Sequence, residues 1–252
     1  MDISFAPRRM PTSGTVVVGV LAEQTLTPAA EELDRASGGA VRRALAASPR
    51  FHGKASETVD IVAPAGLEVA RIVLVGLGEA GSMTARGCER IGGELVAKLN
   101  ALGEQTATVV LDALDDAPMA APEQAARMAL GARLRGYRFD KYRTRDTDAD
   151  KPSLANVAFH LDGDGDARAA FAPLDGVADG VSLTRDLVSE PANELSPEAF
   201  AKQCRDLASL GVTVEVLNRE QIEKLGMGAL LAVADGSARE PRVVTMRWNG
   251  AG

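Results

Sequence analysis

The sequence predicts an α/β protein made of two unequal parts, and three observations support this fold class. Apolar runs of strand length alternate with helix-spaced apolar stripes as far as residue 161. A stretch with several glycines and aspartates, residues 163–180, then interrupts the alternation. The 252 residues, 46% hydrophobic and 25% charged, suffice for one or two globular domains. We therefore place a domain boundary within residues 163–180.

Five apolar runs are predicted as the strands of the N-terminal part, and none is assigned before residue 15. They cover residues 15–22, 57–62, 70–75, 106–111 and 156–161. Their β-branched residues favour strands. Helical segments are predicted between several of these runs, and this alternation is typical of an α/β domain.

The helices of the N-terminal part are predicted over residues 27–47, 82–102 and 122–136. The second has Ser82 and Thr84 as candidate N-caps, and Gly103 lies where a C-terminal stop is expected. Its apolar stripe, at spacings of three and four, is Cys88, Ile91, Leu95, Leu99 and Leu102. The third helix has Pro122 in its first turn.

Loops and shorter elements complete the chain. Loops are predicted over residues 144–153 and 162–180. Helices follow, one of them capped by Ser196 and stabilised at its start by Pro197. The C-terminal part contains two predicted strands, residues 212–217 and 243–248.

Composition excludes several protein classes. No run of eighteen apolar residues occurs, and the N-terminus lacks the apolar region of a secretory signal, so we expect a cytoplasmic protein without a membrane span. Cys88 and Cys204 fall on predicted helix stripes, which favours buried free thiols over a disulfide or a metal site.

Because the net charge is −7, a nucleic acid could bind this chain only through a local basic patch. The candidate is Arg133–Arg145, where six basic and three aromatic residues could contact phosphates and bases. The acids Asp146, Asp148 and Asp150 follow directly. We therefore favour the alternative, a helix end with a solvated turn, and expect no nucleic-acid partner.

Gly76–Gly81, GLGEAG, is a G-x-G-x-x-G run between a strand and a helix, the context of a dinucleotide site. The acid that would bind the ribose is Asp112, but it lies 36 residues after Gly76 rather than about twenty. A tight turn that needs glycines explains the same run and is favoured.

Three further patterns are weak candidates for a functional site. Asp162–Ala167, DGDGDA, begins like a calcium loop, but Ala167 and Pro173 occupy the positions of the required glycine and glutamate. His52 and His160 lack a second ligand at metal-binding spacing.

The hydroxyls of Ser189 and Ser196 have no accompanying histidine base, so neither is predicted to be a nucleophile. The sequence thus assigns no catalytic, cofactor-binding or metal-binding residue to this chain.

Four separated segments, in order, resemble the leucyl aminopeptidase (cytosol aminopeptidase) family of dinuclear metallopeptidases. They are IVLVGLGEAGSMT, LRGYRFDKYRTR, RDLVSEPANELSPEAF and VEVLNREQIEKLGMGALLAVADGSAREPRVV. Ser189 stands where the family usually has asparagine, and Ala234 with Asp235 replaces a common Gly-Gln. Neither position is catalytic in the family.

The resemblance implies a macro-like N-terminal α/β domain over residues 1–165, a linker over 166–180 and an incomplete aminopeptidase-type α/β domain over 181–252. It also implies release of N-terminal, leucine-like residues from peptides by two divalent ions, manganese or zinc. The family forms homo-hexamers, whose core contacts this chain alone is not expected to maintain.

The family's metal-binding and catalytic residues lie in a Gly-Lys-Gly-x-x-Phe-Asp-Ser/Thr-Gly-Gly run and an Asn-Thr-Asp-Ala-Glu-Gly-Arg run. Neither occurs in the 252 residues, and Asp146–Pro152 shares only Thr-Asp-Ala with the second. The sequence therefore predicts an inactive N-terminal fragment of a cytoplasmic aminopeptidase. The alternative is a stand-alone macro-like module that binds a nucleotide or ADP-ribose near Gly76–Gly81, or that regulates another protein.

Overall fold

The computed structural model describes residues 1–147 and 151–250. The chain divides into two compact units, the N-terminal unit Met1–Ser182 and the C-terminal unit Leu183–Gly252. Among the described residues, no helix is both long and apolar enough to cross a bilayer.

The N-terminal unit is built on a six-stranded sheet. The strand order is β1-β6-β5-β2-β4-β3, in which β3 alone is antiparallel to its neighbour. The strands are β1 Asp2–Pro7, β2 Thr15–Leu21, β3 Thr58–Val62, β4 Arg71–Gly78, β5 Thr106–Val110 and β6 Asn156–Leu161. Five predicted strands are confirmed.

Helices cover both faces of this sheet. They are α1 Pro28–Ala36, α2 Ala40–Ala46, α3 Ala85–Ala101, α4 Ala121–Gly136 and α5 Asp164–Ser189. Side chains alternate along β2, so Val16 and Val18 pack with the α1 and α2 layer while Val17 packs with the α3 and α4 layer. This burial on both faces explains the continuous apolar run of β2.

The predicted stripe of α3 faces the core. Ile91, Leu95 and Leu99 are buried, and the Thr84 side chain accepts a hydrogen bond from the Gly87 amide as the predicted N-cap. Crossing of α3 and α4 depends on two glycines that the sequence analysis did not single out. A Cβ at Gly92 would lie 1.9 Å from the Met128 carbonyl oxygen, and one at Gly131 would lie 1.8 Å from that of Glu89. The two backbones therefore touch.

Three predictions of elements in the N-terminal unit are wrong. Residues 2–7 form β1, an edge strand that the sequence analysis missed because only Ile3 and Phe5 alternate on one apolar face. The single helix predicted over 27–47 is two helices. Gly38 and Gly39 adopt φ angles of +61° and +85°, which end α1 and restart the chain as α2.

The loop predicted over residues 162–180 is instead helical from Asp164 onward, as part of α5. Its glycines and Pro173 disfavour a helix locally. Burial of Ala167, Phe171 and Ala178 explains why the helix forms, because packing overrides low propensity.

The C-terminal unit contains a two-stranded antiparallel sheet, β7 Thr213–Leu217 with β8 Val243–Arg247. Three helices accompany it: α6 Pro197–Asp206, α7 Arg219–Lys224 and α8 Gly228–Ala234. Both predicted strands are confirmed. Ser196 caps α6 by accepting a hydrogen bond from the Ala199 amide at 3.2 Å, also as predicted.

Candidate functional site

The carboxyl ends of five parallel strands meet at one edge of the N-terminal sheet, where α/β folds bind ligands. Arg8 follows β1, Gly78 ends β4, Asp112 follows β5 and Asp162 follows β6. The glycine run and its proposed acidic partner therefore both lie at this edge. Their hydrogen bonds decide whether they can bind a nucleotide.

The glycine run is occupied by protein contacts. The Gly76 amide donates to the Glu57 carbonyl at 2.8 Å, and the Gly78 amide donates to that of Gly53 at 2.8 Å. A Cβ on Gly76 would lie 2.0 Å from the Lys54 carbonyl oxygen. Gly81 lies in a single 3₁₀ turn that precedes α3. The predicted reason, a tight turn, applies to Gly78 with its φ of +79°, whereas Gly76 permits a close approach of segment 53–57 that was not predicted.

Asp112 is buried and fully engaged. One carboxylate oxygen accepts from the Ala29 amide in the first turn of α1 at 2.7 Å, and the other accepts from Arg8 Nε at 3.0 Å. Burial alone would lower the pKa of Arg8, but the hydrogen bonds and charges of Asp112 and, to a smaller extent, Glu32 raise it above its usual value. The carboxylate therefore joins β1 to α1, and this geometry does not favour the nucleotide-binding alternative.

The two histidines have different surroundings, since one lies on a central strand and the other in a loop. His160 on β6 is buried, and its Nδ1 lies 3.0 Å from the Arg9 carbonyl oxygen. His52 is exposed and precedes β3; its backbone amide donates to the Glu57 carboxylate at 2.7 Å. Among the described residues, neither histidine belongs to a group of three potential metal ligands.

The acidic runs do not assemble a metal centre in the part of the chain that the structure describes, where no group of three potential ligands is found. Asp164 and Asp166 lie in the first turn of α5, where their negative charge interacts favourably with the partial positive charge of the helix N-terminus. Asp146 pairs with Arg138 and Arg143. Asp148 and Asp150 lie outside the described residues.

Both cysteines are buried free thiols, as predicted. Burial, reinforced by the nearby Glu89 and Glu123 carboxylates, raises the pKa of Cys88 to about 11. This thiol is therefore protonated and unreactive at neutral pH. Ser189 is the last residue of α5 and Ser196 is the N-cap residue of α6, so each serine lies at a helix terminus.

The basic segment Arg133–Arg145 makes internal ion pairs. Arg133 pairs with Asp175 at 2.9 Å and Asp179 at 2.5 Å, which fastens α4 to α5. Lys141 lies 5.2 Å from the ring centroid of Tyr142. These contacts favour the structural interpretation of the segment.

An ion-pair network at the other end of the sheet was not anticipated. Arg71 at the start of β4 contacts Asp60 at 2.7 Å and Glu104 at 2.8 Å, and Lys98 contacts the second oxygen of Asp60 at 2.8 Å. The one available sequence signal was a charged residue within each of two apolar strands. It indicates a local partner without identifying it.

Comparison with known families places matches on both units. The profile described as "Cytosol aminopeptidase family, N-terminal domain" matches residues 17–146, and "Cytosol aminopeptidase family, catalytic domain" matches residues 182–252. The chain is 41% identical over 252 residues to a probable cytosol aminopeptidase of Rhodopseudomonas palustris, covering 99% of this chain and 49% of the relative. For one of Caulobacter vibrioides, identity is 42% and the coverages are 100% and 50%. The chain spans about half the length of these relatives.

Two solved structures resemble the fold. The bottromycin maturation enzyme BotP in complex with Mn matches with a TM-score of 0.71 and 29% identity, over 94% of this chain and 45% of BotP. A mutant tomato leucine aminopeptidase matches with a TM-score of 0.81 over 98% of this chain and 50% of that enzyme. Identity to the tomato enzyme is 23%, so this likeness concerns the fold alone.

Proposed function

Because this chain belongs to the cytosol aminopeptidase family, we propose that it supplies the N-terminal domain and the first part of the catalytic domain of an aminopeptidase. The parent enzyme would release leucine-like N-terminal residues from peptides by two-metal hydrolysis in the cytoplasm. The observation that carries this proposal is the match of two consecutive family profiles to residues 17–146 and 182–252. Whole-chain identity of 41% to a probable cytosol aminopeptidase supports it.

The described residues do not fit a two-metal centre. Such a centre needs closely placed carboxylates with an open coordination position. Here Asp112 and Asp146 are held by arginines, and Asp164 and Asp166 lie in a helix terminus. No step of peptide hydrolysis is therefore assigned to these side chains. We infer that the chain alone does not hydrolyse peptides.

Turnover of leucine-p-nitroanilide with added Mn²⁺ or Zn²⁺ tests this inference. The chain would be compared with the full-length Rhodopseudomonas palustris relative and with a fusion of residues 1–252 to the portion of that relative that the chain does not cover. We expect metal-dependent turnover from the relative and the fusion, and background turnover from the chain alone.

Host aminopeptidases are the main source of error, so a mock purification and a Leu95→Ala variant of the chain serve as controls. Metal-dependent turnover that tracks the purified chain, and that falls with unfolding of the variant, would contradict inactivity. An inactive fusion beside an active relative would contradict the proposal that this chain can serve as the N-terminal portion of an aminopeptidase.

Further properties of the parent are proposals of the same kind. A macro-like architecture for the N-terminal domain is supported by the six-stranded sheet with helices on both faces. We also propose domains over residues 1–165 and 181–252. The segment between them, residues 166–180, is helical. A homo-hexamer would depend on catalytic-domain contacts, so light scattering should show a smaller species for this chain than for the fusion.

A further inference from the structure

The Asp112 carboxylate lies where an α/β fold commonly binds an anion. It follows β5 at the carboxyl edge of the parallel sheet and accepts a hydrogen bond from the Ala29 amide at 2.7 Å, in the first turn of α1. Amides at a helix N-terminus carry partial positive charge and favour anions. Asp112 comes from a segment 83 residues further along the chain, so this contact is not local capping.

A cation from a third element converges on the same carboxylate. Arg8, just after β1, places Nη2 at 2.9 Å from Asp112, and the Asp112 side chain is only 4% exposed. A helix N-terminus, an arginine and a deeply buried carboxylate therefore form one built site. Glu32 lies 3.5 Å from the same Arg8 group and is 44% exposed. Its charge is therefore partly screened by water and would repel an anion at this site only weakly.

We propose that this edge of the sheet is an oxyanion site that the protein fills from within, with Asp112 as the bound anion. The site would take a small tetrahedral or planar oxyanion, such as inorganic phosphate or formate, once the carboxylate is removed. The native chain would bind no such ligand there, since the Ala29 amide and Arg8 Nε already donate to the Asp112 carboxylate, whose charge would repel a second anion. This inference is independent of the proposed aminopeptidase function, because it concerns only contacts within the N-terminal unit.

Chemical rescue of Asp112→Ala in the full chain tests the proposal. Removal of the carboxylate leaves the buried Ala29 amide without its acceptor and leaves the half-buried Arg8 guanidinium with only the long contact to Glu32 at 3.5 Å, so the melting temperature should fall. Phosphate should restore part of the loss. At ten times its dissociation constant, phosphate should raise the Tm of the variant by about 3 to 6 °C over chloride of equal ionic strength. Phosphate NMR line broadening would report binding directly.

Asp34→Ala is the matched control. Asp34 also accepts from a helix amide, that of Arg42 at 2.9 Å, and also contacts an arginine. That arginine is 65% exposed, compared with 25% for Arg8, so its charge stays well hydrated when the carboxylate is lost. Asp34→Ala should be destabilised but should gain no more from phosphate than the native chain, which corrects for general salt effects on stability.

The double variant Arg8→Gln, Asp112→Ala should lose the rescue, since it lacks the cation. If Asp112→Ala is unfolded in chloride, recovery of its folded circular dichroism signal by phosphate or by the smaller formate would support the proposal. Failure of both anions to recover the fold would overturn it. Equal phosphate stabilisation of the native chain, Asp34→Ala and Asp112→Ala would also overturn it.

Discussion

Strands β2 and β7 have similar sequences but very different surroundings. β2 reads TVVVGVL and is buried at every residue except the last, whereas β7 reads TVEVL and has no buried residue. β2 lies between β4 and β5 with helices on both faces, while β7 pairs with β8 alone. A run of β-branched residues therefore predicts a strand, but the neighbouring elements determine how much of that strand is buried.

The same contrast extends to the two units that contain these strands. Among described residues of the C-terminal unit, the buried hydrophobic side chains are Ala201, Cys204 and Ile222. Large apolar side chains exposed there are Val188, Phe200, Leu210, Leu225, Met227, Leu230, Val233, Met246 and Trp248. Because apolar burial is the main favourable term in folding, the C-terminal unit should be much less stable than the N-terminal unit.

Native-state hydrogen exchange should show the largest difference. Amides of β2 and β4 should exchange at least about a thousandfold more slowly than those of β7 and β8, since the opening free energies differ by several kcal/mol. Mass spectrometry of peptic fragments measures both regions in one sample. Equal protection of the two sheets would show that side-chain burial does not account for their stability.

Core truncation should separate the units next. Leu95→Ala removes a side chain that is 3% exposed and should destabilise the N-terminal unit by about 2 to 5 kcal/mol. Val233→Ala, at a residue 86% exposed, should change the free energy of unfolding by less than about 0.5 kcal/mol. Urea denaturation monitored by circular dichroism gives both values. A large effect of Val233→Ala would indicate a contact that its exposure does not reveal.

Glycine substitutions within helices should have opposite signs. Gly92→Ala forces a methyl group against the Met128 carbonyl, so it should destabilise the α3–α4 crossing by about 1 to 3 kcal/mol. Gly176→Ala has no atom within 4 Å of the new Cβ and should stabilise α5 by up to about 1 kcal/mol. Thermal melts of the two variants test this. A neutral Gly92→Ala would mean that the helices can move apart at little cost.

The smallest predicted difference concerns ion pairs. The Lys98 hydrogen bond lowers the pKa of Asp60 more than burial raises it, and Arg71 lowers it further. The stabilisation should therefore be present above the unfolded pKa of about 4 and be lost as pH falls through the lower folded pKa. Asp60→Asn should cost at most about 1 kcal/mol at pH 7 and flatten stability against pH below about 4.

Glu220→Gln is the control for this prediction. Its partner Lys224 and Glu220 itself are each 71% exposed, so the change should cost only about 0.3 kcal/mol at pH 7. If Asp60→Asn keeps the native slope in acid urea titrations, the network does not link proton binding to folding.

The parts of this structure that were predictable are those with a strong local pattern. The apolar stripe of Ile91, Leu95 and Leu99 predicts α3 correctly because the spacing of a helix face can be read directly from the sequence. The break at Gly38 and Gly39 was readable in principle, since left-handed glycines end helices. Helix α5 was not, because packing of Ala167 and Phe171 against distant elements stabilises it against its own composition.

The candidate site shows the same limit. Asp112 was recognised as an acid after a strand, but its partners Arg8 and Ala29 come from distant positions that no spacing rule connects. The resemblance to aminopeptidases, in contrast, was visible because four local segments carry it. Local segments identify a family more readily than they identify a side-chain partner.

The position of β1 has a consequence for synthesis on the ribosome. Residues Asp2–Pro7 pair with β6, residues Asn156–Leu161, so β1 leaves the ribosome about 150 residues before this partner strand. At 5 to 20 residues per second, this corresponds to a wait of roughly 8 to 30 s. The nascent chain must therefore keep an unpaired apolar strand from misassociating for that time. β1 is short and is followed by Arg8 and Arg9, features that discourage edge-to-edge association.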